Sequence, residues 1–262
     1  MPTGRADVVE STPLTRAGWY ADGQHGGVVS ALIGRAVEAV PTLTPMEVAR
    51  LTVELFRVVP MVPLRTESRV VREGKRIQVV EASIFDPDDV ELARGVAVRL
   101  RKANLELPAQ AASASSLPRP EEFDSPEMAT FGVGPRGELL YHRYAVEVRE
   151  IDEGFTRLGP GAMWMRVTKP LVAGEAITPL TRAVIVGDFV NGLSRLSSPR
   201  RFIFMNADLT VHLHRMPAGE WVGVSAESRW DPAGRGVATG TLYDTTSDFG
   251  RSTQTLFLDV AL

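Results

Sequence analysis

Asp188 stands in the apolar run Ala183–Leu193, AVIVGDFVNGL. A carboxylate there is costly unless it is hydrogen-bonded or put to use. It could accept a proton from water, or orient the water, in a hydrolytic step. Equally, it could bind backbone N–H groups near a helix start and do no chemistry. Gln254 raises the same question in a strand. In Ser252–Leu258, STQTLFL, it shares a face with Leu256 and Leu258 by the two-residue period, and a polar group on an apolar face asks for a partner. An amide capping a loop or sitting on an edge strand is the plainer reading. His25, Gly26 and Gly27 stand where a helix begins. Bare glycines let a ligand approach the backbone, and free N–H groups at a helix start suit an oxyanion or a phosphate. A Gly-Gly pair can also be no more than a tight turn.

Other chemistries find less support. His212 and His214 alternate along one strand and so face the same way, but two ligands are too few for a metal, and the pair reads as sheet surface. Gly234 to Gly240 resembles a glycine-rich phosphate loop without the Lys-Ser/Thr that should follow, and it falls on an expected hairpin. No G-x-S-x-G elbow is present. With no cysteine there is no disulfide, thiolate nucleophile or iron–sulfur cluster. The 262 residues are 44% hydrophobic with a net charge of −3, the balance of a globular chain with no general affinity for nucleic acid or anionic lipid. No apolar run reaches membrane-spanning length, and MPTGRADVVEST lacks the apolar core of a signal peptide. The default expectation is cytoplasmic.

The elements that must position these residues come in two copies. Leu51–Arg57, LTVELFR, returns as Leu209–Arg215, LTVHLHR, with five of seven positions identical. Glu67-Ser68-Arg69 returns as Glu227-Ser228-Arg229, Phe85-Asp86 as Tyr243-Asp244, and Arg94-Gly95 aligns with Arg251-Ser252. Four matches in one order, nearly in phase, indicate a tandem repeat. Each copy has a helix followed by four strands. The first helix starts at Gly26-Gly27, with Val28, Leu32, Ala36 and Val40 near one face. The second spans about Thr178 to Leu196. The second copy's strands are expected at Phe202–Arg215, Trp221–Trp230, Gly236–Tyr243 and Ser252–Val260, preceded by strands at Leu139–Val148 and Ala162–Thr168. Short links make them antiparallel. The expected fold is α+β, two tandem units each with a long helix wrapped by a curved antiparallel sheet. The expected boundaries are 1–103, an Ala/Ser/Pro-rich linker over 104–130, and 131–262.

This layout resembles the double-hotdog acyl-CoA thioesterases, more narrowly the acyl-CoA thioesterase II group and its bacterial thioesterase-like relatives. Three stretches carry the resemblance: Gln24-His25-Gly26-Gly27-Val28, similar to an aromatic-Gly-Gly-Gln helix start; Asn206–Arg215, ending in His-Arg; and Gly236–Leu256, with its Gly-x-Leu-Tyr-Asp hairpin and Arg251-Ser252-Thr253-Gln254. It implies hydrolysis of an acyl-CoA or acyl-carrier thioester, without cofactor or metal, by a water held among an Asp, a Thr, Asn or Ser, and a Gln. These positions fall on Asp188, Asn206 and Gln254. Asn206 departs from the Thr of acyl-CoA thioesterase II. Ala97 stands in the first copy where the second has Gln254, so the resemblance implies one catalytic set per chain. It also implies an oxyanion role for the Gly26 or Gly27 N–H, with His25 lining the pocket. A hotdog hydratase would have Pro and His after the helix Asp, where this chain has Phe189-Val190-Asn191. A non-catalytic acyl-thioester-binding protein of the same fold is the reading from another class. Further association into a homo-oligomer would use exposed sheet faces or edges.

Overall fold

A computed structural model describes residues 7–18, 20, 22–111, 116–124, 140–152 and 154–261. The first unit contains β1 (Asp7–Val9), α1 (Gly26–Glu38), β2 (Met46–Leu55), β3 (Leu64–Arg72), β4 (Ile77–Phe85) and β5 (Glu91–Arg101). The second contains α2 (Tyr141–Tyr144), β6 (Val146–Glu150), β7 (Gly161–Val167), α3 (Pro179–Gly187), α4 (Val190–Leu193), β8 (Phe202–Asn206), β9 (Asp208–Leu213), β10 (Trp221–Asp231), β11 (Arg235–Tyr243) and β12 (Asp248–Val260). All twelve strands join one sheet in the order β1-β3-β4-β5-β2-β9-β12-β11-β10-β7-β6, with β8 also on β12. α1 packs on β2 to β5, and α3 on β7 and β9 to β12. A helix about 10 Å across can touch four or five strands, each about 4.8 Å from the next, only if the sheet bends round it.

The two copies meet at their most similar stretch. β2 pairs antiparallel with β9, Leu51 opposite Val211, Thr52 opposite Thr210 and Val53 opposite Leu209. Thr52 and Thr210 are equivalent in the repeat, and the Thr210 hydroxyl donates to the Thr52 Oγ1 at 3.1 Å. A pseudo-two-fold axis therefore passes between them. α1 and α3 lie antiparallel across it, with Gly26 and Gly27 beside Asp188 and Gly34 beside Leu180. The register also corrects one repeat match. Ser68 pairs with Ala82 and Ala226 with Gly240, and these are the equivalent pairs. The recurrence of Glu-Ser-Arg at 227–229 is therefore two residues out of step.

Three expected elements are interrupted. The second helix stops at Gly187, turns through Asp188 and Phe189, and resumes as α4. The strand expected over 139–148 begins only at Val146. Leu140, Tyr141 and His142 are consecutively buried, which no alternating strand allows, and residues 141–144 form α2; Leu139 lies outside the described residues. The strand expected over 202–215 breaks at Ala207. Before the break the deeply buried residue is Phe204; after it they are Leu209, Val211 and Leu213, so the inward parity switches from even to odd. One extra residue does this, as a bulge re-aims side chains. Residues 116–124, within the expected linker, pack on the second unit. The Trp164 indole N–H donates to Pro118 O at 2.8 Å, and Arg149 donates to the carbonyls of Pro120 and Phe123. Among the described residues no helix is long and apolar enough to cross a membrane.

Candidate active site

The helix break, the strand bulge and the start of α1 converge on one cavity of about 360 Å3, lined by His25, Gly26, Val29, His142, Asp188, Phe189, Phe204 and Asn206 among others. Asp188 caps the C-terminus of α3 and is only 6% exposed. Its own helix end disfavours negative charge, whereas the N-terminus of α1, against which the carboxylate rests, favours it. That approach requires glycine. A Cβ on Gly26 would sit 3.0 and 3.1 Å from the two carboxylate oxygens, and one on Gly27 3.1 Å from the Asp188 Cβ.

Asn206 reaches the same carboxylate from the sheet. The Ala207 bulge turns it inward opposite Leu256, and its Nδ2 donates to Asp188 Oδ1 at 2.9 Å. On the other side, His25 Nδ1 lies 3.2 Å from Asp188 Oδ2 and accepts the Gly27 N–H at 3.1 Å. That bond leaves the proton of the neutral ring on Nε2. The imidazole packs beside Phe189 and Tyr141, with ring centroids 4.9 and 5.3 Å away. Burial pushes the Asp188 carboxyl up to about 6, against the lowering effect of the Asn206 amide and the Gly27 N–H. Burial pushes His25 down to about 4. At neutral pH the site therefore holds a carboxylate beside a neutral imidazole, the charge state of a general base.

Gln254 takes a different place from the one expected. Its side chain is inward and 2% exposed, but it is directed to main chain rather than to the cavity. Nε2 donates to Asp188 O at 3.0 Å, and Oε1 accepts the Asn191 N–H at 3.1 Å. The interrupted helix supplies the reason, since carbonyls at the end of α3 and an N–H at the start of α4 need partners where the ladder stops. Ser252 helps by donating to Gly187 O at 2.8 Å. The structure thus gathers His25, Gly26, Asp188 and Asn206 around the cavity, sets Gly27 against the Asp188 Cβ without lining the cavity, and puts Gln254 behind Asp188. Ala97, opposite Leu51 in the first unit, is fully buried. His212 is exposed on β9 and His214 is exposed just past its end, and neither lines the cavity.

Sequence reasoning passed over Asn191 and His142, which also line the cavity. The Asn191 amide donates to Phe204 O at 3.2 Å and so fastens β8 to α4. A second polar residue three positions after Asp188 in an apolar run was the available signal. His142 gave none, because its segment reads as a strand.

The sequence matches known families over both units. Residues 15–100 match the acyl-CoA thioesterase N-terminal domain, and residues 113–258 match the acyl-CoA thioesterase C-terminal domain. The chain belongs to the acyl-CoA thioesterase family. Its two units are acyl-CoA thioesterase domains, and the family is one of thioester hydrolases. Among solved structures, a protein assigned as a thioesterase II from Thermobifida fusca YX is similar over 98% of this chain and 94% of its own, at 16% identity and a TM-score of 0.72. An acyl-CoA thioesterase II from Mycobacterium marinum is similar over 91% and 90%, at 14% identity and a TM-score of 0.67. A hot dog fold protein from Alicyclobacillus acidocaldarius is similar over 94% and 92%, at 15% identity and a TM-score of 0.71. At these identities the likeness is one of fold, and the fold is the double hotdog. No curated protein matches the sequence.

Proposed function

We propose that this thioesterase hydrolyses an acyl-CoA with a water activated by Asp188 and held by Asn206. The observation that carries the reading is the buried Asp188 carboxylate, bonded to Asn206 at 2.9 Å and set against the N-terminus of α1 inside a cavity. Water approaching Asp188 gives up a proton to the carboxylate as its oxygen bonds to the thioester carbon. The carbonyl oxygen takes on negative charge and needs donors already in place. The Gly27 N–H is occupied by His25 Nδ1, so the donors in this reading are the Gly26 N–H and the His25 Nε2–H. Collapse of the tetrahedral intermediate breaks the carbon–sulfur bond. The proton held by Asp188 passes to the departing thiolate, leaving a carboxylic acid and free CoA. Gln254 acts as a positioning residue, fixing the turn that aims Asp188.

Release of free thiol from acyl-CoAs of graded chain length tests this. Wild-type protein should release thiol, and Asp188→Asn should lower kcat by at least ~10²-fold, the scale of losing a positioned acid–base group. Asn206→Ala should cost less, since a water can take over part of the amide's role. A folded Asp188→Asn protein of full activity would overturn the mechanism. No thiol release by the wild type would overturn the function.

A further inference from the structure

The end of the first unit farthest from Asp188 is cationic and apolar at once. The β3–β4 hairpin turns there, and hydrogen bonds gather its neighbours. The Arg101 N–H donates to Arg76 O at 3.0 Å, and the Thr44 hydroxyl donates to Lys75 O at 3.0 Å. Arg72, Lys75, Arg76 and Arg101 are exposed, and among the described residues none has a carboxylate partner. Glu47, Glu73 and Glu81, the acids at this end of the sheet, are engaged. Glu47 pairs with Lys102 and Glu81 with Arg69, and Glu73 accepts from the Gly74 N–H and the Gln78 amide. Aliphatic side chains stand among the cations. Val71, which the register between β3 and β4 skips, is 52% exposed. Leu43, beside Thr44, is 60% exposed, and Leu100, beside Arg101 and opposite Ile77, is 43% exposed. The chain as a whole carries net charge −3, so this excess of cations is local. The repeat supplies an internal control. The equivalent hairpin of the second unit, β10–β11, closes with Asp231 opposite Arg235, one charge of each sign. The fold therefore does not itself require a cationic hairpin here.

We propose that this end of the first unit docks on a membrane surface rich in anionic lipid. Guanidinium and ammonium groups bind lipid phosphates, and each Lys or Arg near such a surface is worth about fivefold in partitioning. Exposed aliphatic side chains enter the boundary between headgroups and acyl chains while the cations stay at the phosphates. A nucleic acid duplex would use the charges but offer Leu43, Val71 and Leu100 nothing apolar to enter. The mixture of the two side-chain types therefore favours lipid. Docking here leaves the cavity clear. Arg99 and Gln78 donate to the carbonyls of Val37, Val40 and Pro41, which ties this end of the sheet to the C-terminus of α1. The cavity lies at the N-terminus of that 13-residue helix, about 20 Å away at 1.5 Å per residue. None of the docking residues lines it. Attachment of this kind is independent of hydrolysis at Asp188.

Sedimentation of the full-length protein with vesicles tests this. Wild type should bind vesicles of phosphatidylglycerol and phosphatidylcholine in equal parts at least ~10-fold more tightly than vesicles of phosphatidylcholine alone. Salt at about 1 M, where the Debye length is ~3 Å, should weaken that binding at least ~10-fold. The Arg72→Gln/Lys75→Gln/Arg76→Gln/Arg101→Gln variant should bind the anionic vesicles at least ~10²-fold more weakly than wild type. Val71→Ser/Leu100→Ser should bind them at least ~5-fold more weakly, from the lost apolar burial. Circular dichroism should show both variants folded as wild type is. A fluorescent DNA duplex is titrated against the same three proteins. Failure of wild type to bind anionic vesicles, equal binding to both vesicle types, or binding insensitive to salt would overturn the proposal. So would a folded charge variant or a folded serine variant that binds as wild type does. A duplex bound more tightly than the vesicles, and lost in the charge variant, would overturn it in favour of nucleic acid. The lipid and salt arms use wild type alone, so they decide the question even if a variant does not fold.

Discussion

At the scale of single residues, the proposed mechanism makes Asp188 the general base, and the burial of its carboxylate bears on stability as well. The base must be ionised, so kcat/KM should fall as pH drops through about 6, which a pH–rate profile measures. Asn206→Asp places a second carboxylate against the first. Two such groups cannot both ionise cheaply, so its acid limb should move to higher pH, whereas Asn206→Thr keeps a donor and should leave the limb near 6. The same elevation carries a stability cost with a definite sign. Asp188 binds its proton more tightly folded than unfolded, so its ionisation weakens the fold above about pH 6, and the penalty vanishes below the ordinary carboxylate value of 3.8. At about 1.4 kcal/mol per tenfold the penalty at neutral pH is about 3 kcal/mol. Asp188→Asn can accept from Asn206 and donate to His25 Nδ1. Urea denaturation should therefore find it more stable than wild type by up to about 3 kcal/mol at pH 7, with the advantage shrinking toward pH 4.

At the scale of elements, the site is a meeting of ends: the start of α1, the stop of α3 and the break between β8 and β9. The two glycines of α1 should fail in different ways. An alanine at Gly27 meets the Ile185 carbonyl and the Asp188 Cβ, both at 3.1 Å. These are rooted in α3, so the helices must part, at a cost of about 1–3 kcal/mol. An alanine at Gly26 meets only the carboxylate oxygens. These can swing aside at little cost in stability but then leave Asn206, so turnover should fall more than stability does. Denaturation midpoints and turnover of Gly26→Ala and Gly27→Ala separate the two effects. Much of this was legible in the chain. The Gly-Gly helix start, the buried Asp, the phase of the repeats and the strand positions follow from period and turn signals. The interruptions were harder to read. Ala183–Leu193 is apolar but for Asp188 and Asn191, whose three-residue spacing fits an unbroken helix, so its pattern did not mark a stop at Gly187. The change of parity from Phe204 to Leu209 was visible, yet a single inserted residue is easily read as one long strand. Gln254 was correctly placed on the inner face, but a two-residue period cannot distinguish a side chain that meets substrate from one that meets main chain.

At the scale of the whole molecule, nothing in the packing of the described residues separates the two domains. The sheet is continuous through β2 and β9, α1 packs on α3, and one apolar cluster runs from Val28 in the first unit to Leu256 in the second. Unfolding should therefore be one cooperative event. Trp164, Trp221 and Trp230 all lie in the second unit, so tryptophan fluorescence weights that half while far-UV circular dichroism reports on both. The two midpoints should coincide, and a dichroism phase without a fluorescence counterpart would show the halves melting separately.

The axis between Thr52 and Thr210 also has an evolutionary meaning. In a symmetric pair of identical hotdog chains every substitution is written twice, and a change that improves one end of the helix pair is imposed on the other. Joining the halves covalently ends that obligation. Here α1 keeps the bare Gly26-Gly27 start while α3 begins with Thr178 and Pro179, and Gln254 supports one turn while Ala97 simply fills its place in the other half. Each half has become free to specialise as a donor of parts, one giving the helix start and the other the carboxylate. A mutation in this gene therefore alters one half alone, and selection can tune that half without disturbing a twin.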